Sequence, residues 1–346
     1  MIDTIKLFIP IENTNLLLQL KGTLTRFRKE NLQTNEINFE FYSSQVELGS
    51  YDRNVNIMSS NIPQGFFVEF SVPKYLKDNN VEMIEPKELN TAIPKLYKEL
   101  CNHMNYKLPH YSTWSVYKLD ACYNWIFEDE ETATRAIDFI KLIDFPRKKK
   151  YIWDTSVMYK GTAYTVKFYL KGPEFLKNDF KKVKNQNQAH SLLHWANRIL
   201  RFEIGIRKNH LQDFLGRRPV LIEHITDHQI IEEILQHYLG ILFKYLNQKT
   251  MSNEMIKETL FKNFTYQKAT RLYDFYRNFY YNPEMKQMYL RGGLNRSTIY
   301  RYKKDLERAG IGLSTELIEE DTQILEKFVI PSPDAKFDLP DPNHYS

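Results

Sequence analysis

Four segments of this chain alternate apolar and polar side chains with the period of two that a half-buried β-strand requires, and each carries one reactive group on its polar side. In the most telling one, Tyr164, Val166, Phe168 and Leu170 alternate with Thr165, Lys167, Tyr169 and Lys171. Leu200, Phe202, Ile204 and Ile206 alternate with Arg201, Glu203, Gly205 and Arg207. Leu119, Ala121 and Tyr123 alternate with Asp120, Cys122 and Asn124, although Val116 spoils the polar side of that stretch. Phe66, Val68 and Phe70 alternate with Phe67, Glu69 and Ser71. A sheet built from these segments is expected to gather Glu69, Asp120, Glu203 and Tyr169 on one surface.

Three carboxylates and a tyrosine beside basic side chains point to metal-assisted phosphodiester chemistry. A tyrosine hydroxyl has a pKa of about 10, so attack on phosphorus at neutral pH needs help. Lys171 and Lys167, or a divalent cation held by Asp120, Glu69 and Glu203, would favour the phenolate. Hard oxygen ligands select Mg²⁺ or Mn²⁺ over zinc. Lys167, Arg201 and Arg207 are the basic groups of the same surface expected to meet DNA. Taken singly, each residue has a duller reading: a strand carboxylate as an ion-pair partner, a strand tyrosine as packing. Their shared placement on polar faces is what favours the catalytic one.

Charge is distributed unevenly. The net charge is only +5, yet residues 316–346 hold eight acidic residues against Lys327 and Lys336. Basic runs stand at Arg147-Lys148-Lys149-Lys150 and at Lys177, Lys181, Lys182 and Lys184. With 23 tyrosines and 22 phenylalanines, this pattern leans towards nucleic acid. Nothing approaches the roughly 20 apolar residues of a membrane span. The N-terminal residues read as a first strand, not a signal peptide. Cys101 and Cys122 form no CxxC pair, so a disulfide framework and a zinc site are not expected, and the cytoplasm is the default compartment.

Helical periodicity appears at 86–104, 132–143 and 190–198, with one strand near 151–158 between the second helix and the Tyr169 strand. That order predicts an α+β fold, an antiparallel sheet with helices on one face, over residues 1–215. Residues 216–315 read as helical, with helices at 230–246, 253–262 and 270–281. Gly292-Gly293 then precedes a basic helix in which Ser297 is the expected N-cap and Ile299, Tyr302 and Leu306 share a face. Two readings stand for it: the second helix of a helix-turn-helix, with Arg296, Arg301, Lys303 and Lys304 facing DNA, or a basic surface helix of a bundle. Residues 316–346 read as an acidic, Pro/Asp-rich tail, disordered from Pro331 onward, that is expected to compete with DNA for the basic surface.

Lys118-Leu119-Asp120-Ala121, then Val166-Lys167-Phe168-Tyr169-Leu170-Lys171 with Glu174 shortly after, then Leu200-Arg201-Phe202-Glu203-Ile204, resemble successive motifs of rolling-circle replication initiators. The resemblance is to the gene II/X group of filamentous phages and small plasmids, and to the related Rep_trans-type plasmid initiators. It implies a nicking-joining endonuclease in which Tyr169 attacks one strand at a duplex origin, Asp120 serves a metal site, and a phosphotyrosine link and a free 3′ hydroxyl result. It implies as partners origin DNA, duplex and single-stranded, with a host polymerase and a host helicase. Tyr159-Lys160-Gly161-Thr162 stands where the family has a Gly-Ser-Arg-like turn, and Lys118 where it has Arg. Both departures bear on substrate positioning. Tyr164, Tyr159, or Tyr169 of a second subunit in a homodimer are the candidates for the terminating transfer. No His-hydrophobic-His triplet is present, and His190 and His194 lack a third ligand, so a histidine-based relaxase is disfavoured. Two other classes stay open: a sequence-specific DNA-binding protein without cleavage, and a metal-dependent nuclease that uses water.

Overall fold

A computed structural model describes residues 1–30, 37–48, 55–77, 79–143, 145, 147–243, 253–280, 283–309, 311 and 328. Apart from Phe328, the expected acidic tail lies outside them, as do the last residues of the 230–246 helix. The chain divides into two compact units, the first comprising Met1–Ile137 with Arg147–Gln236, the second Asp138–Pro146 with His237–Phe328.

The first unit is an α+β structure built on one sheet. Its strands are β1 (Ile2–Pro10), β2 (Thr25–Glu30), β3 (Ile37–Val46), β4 (Val55–Ser60), β5 (Gly65–Ser71), β6 (Ser115–Ile126), β7 (Lys149–Trp153), β8 (Ser156–Lys160), β9 (Tyr164–Leu170) and β10 (Ile199–Arg207). They run antiparallel in the order β2-β3-β4-β5-β1-β6-β10-β9-β8-β7. The helices in chain order are α1 (Thr14–Lys21), α2 (Val72–Leu76), α3 (Leu89–His103), α4 (Glu130–Leu142), α5 (Lys171–Asn178), α6 (Gln186–Ala196), α7 (Lys208–Leu215) and α8 (His228–Phe243), of which α4 and α8 have their last residues in the second unit.

Apolar alternation becomes the sheet's core face. Val166, Phe168, Phe202 and Ile204 are fully buried, and the rings of Phe168 and Phe202 stack 4.8 Å apart beside Trp125. The irregularity at Val116 has a physical origin. The register steps from Lys6 opposite Lys118 to Leu7 opposite Val116, so β6 carries one extra residue there and Val116 turns to the core side with Leu7. A second bulge, between Ile2 and Thr4 of β1, re-aims Asp3.

Three local expectations are corrected. The single strand expected near 151–158 is a hairpin, β7–β8, turned at Asp154-Thr155. Lys171 does not continue β9 but opens α5, where its side chain is buried. Polar alternation on β10 does not mean exposure: every residue from Ile199 to Ile206 is buried.

The second unit is helical, with α9 (Asn253–Asn263), α10 (Tyr266–Tyr280), α11 (Pro283–Met288) and α12 (Arg296–Arg308). Its core joins Ile256, Leu260, Leu272, Phe275, Phe279, Ile299 and Leu306. Gly292, at φ 117°, breaks the chain between α11 and α12, a conformation that favours glycine. The cap of α12 is Asn295, not Ser297: the Asn295 carbonyl oxygen Oδ1 accepts from the Ser297 backbone N–H at 3.1 Å and from its hydroxyl at 3.0 Å.

Candidate active site

Strand register sets the four singled-out residues on one face of the sheet. Glu203 lies opposite Lys167, Gly205 opposite Asp120, Thr4 opposite Asp120, and Lys6 opposite both Glu69 and Lys118. Tyr169 lies opposite Arg201. The central strands of this face form a pocket of about 640 Å³ whose wall includes Asp120, Lys167, Tyr169, Glu174 and Glu203.

Within it, the Tyr169 hydroxyl donates to Glu203 Oε2 at 3.1 Å, and Lys167 Nζ donates to Glu203 Oε1 at 2.5 Å. Burial, reinforced by the negative Glu203 and opposed by Arg201, holds the Tyr169 phenol well above its usual pKa. The resting tyrosine is therefore a neutral phenol with a carboxylate as its proton acceptor. Lys171 does not touch that hydroxyl. Its ammonium pairs with Glu174 and sits 6.0 Å from the centre of the Tyr169 ring, and burial together with Arg201 lowers its pKa to about 8.

Asp120 is one strand away from Glu203. Its Oδ2 accepts from Lys118 Nζ at 2.7 Å, while Oδ1 is buried with no hydrogen-bond partner. Burial first, then the charge of Glu203, push its carboxyl up to about 7 against the pull of Lys118 and Lys167. Gly205 makes the room: a Cβ there would stand 2.7 Å from Asp120 Oδ1. Glu69 is set apart from this pair. It faces Lys6 at 3.3 Å and Lys118 at 3.6 Å and does not line the pocket. Among the described residues no group of three His, Cys, Asp or Glu side chains is arranged to hold a metal ion. Of the three expected carboxylates, Asp120 and Glu203 line the pocket and Glu69 does not. Ser71 and Asn80 line the pocket with that pair, and Ser71 Oγ, Asn80 Oδ1 and Asp120 Oδ1 are buried without hydrogen-bond partners, oxygen donors of the kind a hard cation takes.

The basic residues divide. Lys167 lies beside the tyrosine, and Arg207 is exposed at the end of β10, opposite Lys118. Arg201 is fully buried and cannot meet DNA. Its guanidinium donates to Asn124 Oδ1 at 2.7 Å, Asp3 Oδ1 at 3.3 Å, and the backbone carbonyls of Asn80 at 2.6 Å and Val81 at 3.0 Å. In the second unit Arg296, Arg301 and Lys304 are exposed on α12, whereas Lys303 is half-buried with Nζ 4.7 Å from the Phe279 ring centre. Tyr159 and Tyr164 belong to the face opposite Tyr169, since Tyr159 pairs with Val166 and Tyr164 alternates with it. Tyr159 is fully buried, and Tyr164 stacks on His210. Neither lines the pocket that holds Tyr169.

Sequence reasoning missed Asp3, Asn80, Gly205 and Trp153. A glycine inside the Arg201–Arg207 alternation was a readable sign of close approach; the others depend on bulges and loops that have no periodic signature.

A family model for the N-terminal part of the phage gene II replication-associated protein matches residues 1–229. No curated protein matches the chain. Among solved structures, a rolling circle replication initiator protein from Geobacillus stearothermophilus aligns over 70% of this chain and 84% of its own, at 12% identity and a TM-score of 0.33.

Proposed function

The chain belongs to the family of phage gene II replication-associated proteins, rolling-circle replication initiators, and from that membership we propose that it nicks one strand of its origin with Tyr169 as the nucleophile. The observation that carries this reading is the Tyr169 hydroxyl bonded to Glu203 in an open, lysine-flanked pocket. In the proposed step Glu203 Oε2 accepts the phenolic proton as the tyrosine oxygen attacks phosphorus. The bond from phosphorus to the 3′ oxygen breaks, and that oxygen takes a proton from solvent. The products are a phosphotyrosine link to the 5′ side and a free 3′ hydroxyl, so the phosphoester is conserved for rejoining. Lys167 offsets charge on the phosphate. Lys171, beneath the ring and paired to Glu174, adds positive potential without acting as the base.

Asp120 and Glu203 are the residues that would hold Mg²⁺ or Mn²⁺, in place of Lys118 and Lys167. Held there, a cation would supply polarisation of the scissile phosphate and offset charge developing on its oxygens. A host polymerase would extend the 3′ end and a host helicase displace the parental strand. The deciding experiment incubates the protein with a supercoiled plasmid bearing its own origin, with and without Mg²⁺ or Mn²⁺. Metal-dependent relaxation with protein attached to DNA supports the reading. Nicking without attachment indicates a water-using nuclease, and binding without nicking a non-catalytic DNA-binding protein.

Origin recognition is assigned in this proposal to residues 216–315, through the exposed Arg296, Arg301 and Lys304 of α12. Arg301→Ala is expected to weaken duplex binding and to lower the slope of log affinity against log salt by about 0.9, the loss of one phosphate contact. An unchanged slope in a salt titration would count against α12 as the contact.

A titration prediction follows from Asp120. Its carboxyl has a pKa of about 7 in the fold against an ordinary 3.8. Between those values the folded chain keeps a proton that the unfolded chain has released. This group's contribution to stability therefore falls as pH rises through that window. Asp120→Asn is expected to flatten the thermal midpoint across it and to remove metal-dependent nicking. Melting curves with the wild-type pH slope would contradict the assignment.

A further inference from the structure

We propose that the outer strand of the sheet, β7, is a stacking platform for single-stranded DNA that leads the nicked strand to Tyr169; this rests on the nicking reading above. Register carries the argument. Trp153 lies opposite Ser156, which lies opposite Tyr169; Tyr151 lies opposite Met158, which lies opposite Lys167. With side chains alternating along β7, Lys149, Tyr151 and Trp153 all present to the face that holds the tyrosine. Two strand spacings, roughly 10 Å, separate Trp153 from Tyr169 along their row.

The chemistry of this track is that of a nucleotide binder. The Tyr151 and Trp153 rings are near-parallel, 13° apart with centres 6.0 Å from each other, and Lys149 Nζ sits 5.0 Å from the Tyr151 centre. Trp153 is 51% exposed, yet it also forms part of the wall of the Tyr169 pocket. Lysines commonly guard a sheet edge against pairing with another chain, which accounts for Lys149 on β7 but not for an exposed indole beside a parallel phenol ring. Aromatic faces flanked by ammonium groups bind unpaired bases through stacking and their phosphates through charge. Duplex DNA keeps its base faces hidden, so the occupant is a single strand. Continuity with the pocket gives its direction: nucleotides held on Trp153 and Tyr151 adjoin the scissile phosphate.

The test uses the full chain and a fluorescein-labelled oligothymidylate, with a duplex of equal length as comparison. Trp153→Ala and Trp153→Leu are expected to weaken oligothymidylate binding about tenfold. Trp153→Phe should retain most of it, and duplex binding should be unchanged in all three. Thermal midpoints check that the variants fold. Oligothymidylate should also quench wild-type tryptophan emission, and the quench should vanish in Trp153→Phe. Equal affinity in wild type and Trp153→Leu, or equal losses for both DNA forms, would overturn the proposal. The covalent adduct is scored in parallel with Tyr169→Phe. Trp153-dependent binding with no wild-type adduct would uphold the platform and remove the nicking reading instead. An adduct formed without Trp153-dependent binding would do the reverse.

Discussion

Tyr169→Phe is expected to abolish the covalent protein–DNA adduct and to lower origin nicking by about four orders of magnitude or more, as removal of a nucleophile does. The ring's packing is kept, because Phe retains every contact except the hydroxyl's donation to Glu203. One net hydrogen bond costs only about 1 kcal/mol, so the variant should melt close to wild type. Glu203 retains Lys167 as a partner, which limits the penalty further. Quenched time courses on supercoiled origin plasmid, read on denaturing gels for both nicks and attached protein, measure the effect. If Tyr169→Phe nicks at the wild-type rate, water or another side chain is the nucleophile and the proposed step is wrong.

Arg201→Leu should be the most destabilising single change near the site, by about 3–5 kcal/mol. The loss exceeds that of a surface ion pair because four acceptors on four residues share one fully buried guanidinium. Without it, Asp3 is left charged inside the protein. Burial pushes the Asp3 carboxyl up, and Arg201, with Lys171 and Thr4, is what holds it below its ordinary value. Arg201→Lys should recover little, since an ammonium cannot reproduce the planar fork that meets these acceptors at once. Chemical denaturation of both variants is the check. A loss below about 1 kcal/mol, the scale of an exposed pair, would show that the network contributes little.

The two substitutions illustrate what the chain reveals in its primary structure and what it withholds. Period-two alternation around Tyr169, Glu203, Asp120 and Glu69 identified strands and the face each side chain takes, because alternation is a property of the strand itself. It could not give register or cover. Register puts Glu203 within reach of Tyr169 and leaves Glu69 with Lys6 and Lys118. Cover, from residues as distant as Asn80 and Val81, turns Arg201 from an expected DNA contact into an internal strut. Local chemistry competes at the ends of elements. Lys171 fits the strand pattern yet opens a helix, and Asn295, two residues before Ser297, displaces it as the cap. The β7–β8 hairpin was hidden for a similar reason: its two-residue turn, Asp154-Thr155, lacks the glycine that usually marks such a hairpin. Trp153 consequently had no readable role until pairing aligned it with Tyr169.

The central claim is a bond between one tyrosine oxygen and a DNA phosphate. Trapping the adduct from wild-type protein, digesting both polymers and sequencing the nucleotide-bearing peptide by mass spectrometry tests that bond itself. The account predicts a nucleotide on Tyr169, within the peptide derived from β9 and the start of α5. A nucleotide on Tyr159, Tyr164 or any other residue, or a nicked product with no modified peptide, would contradict it.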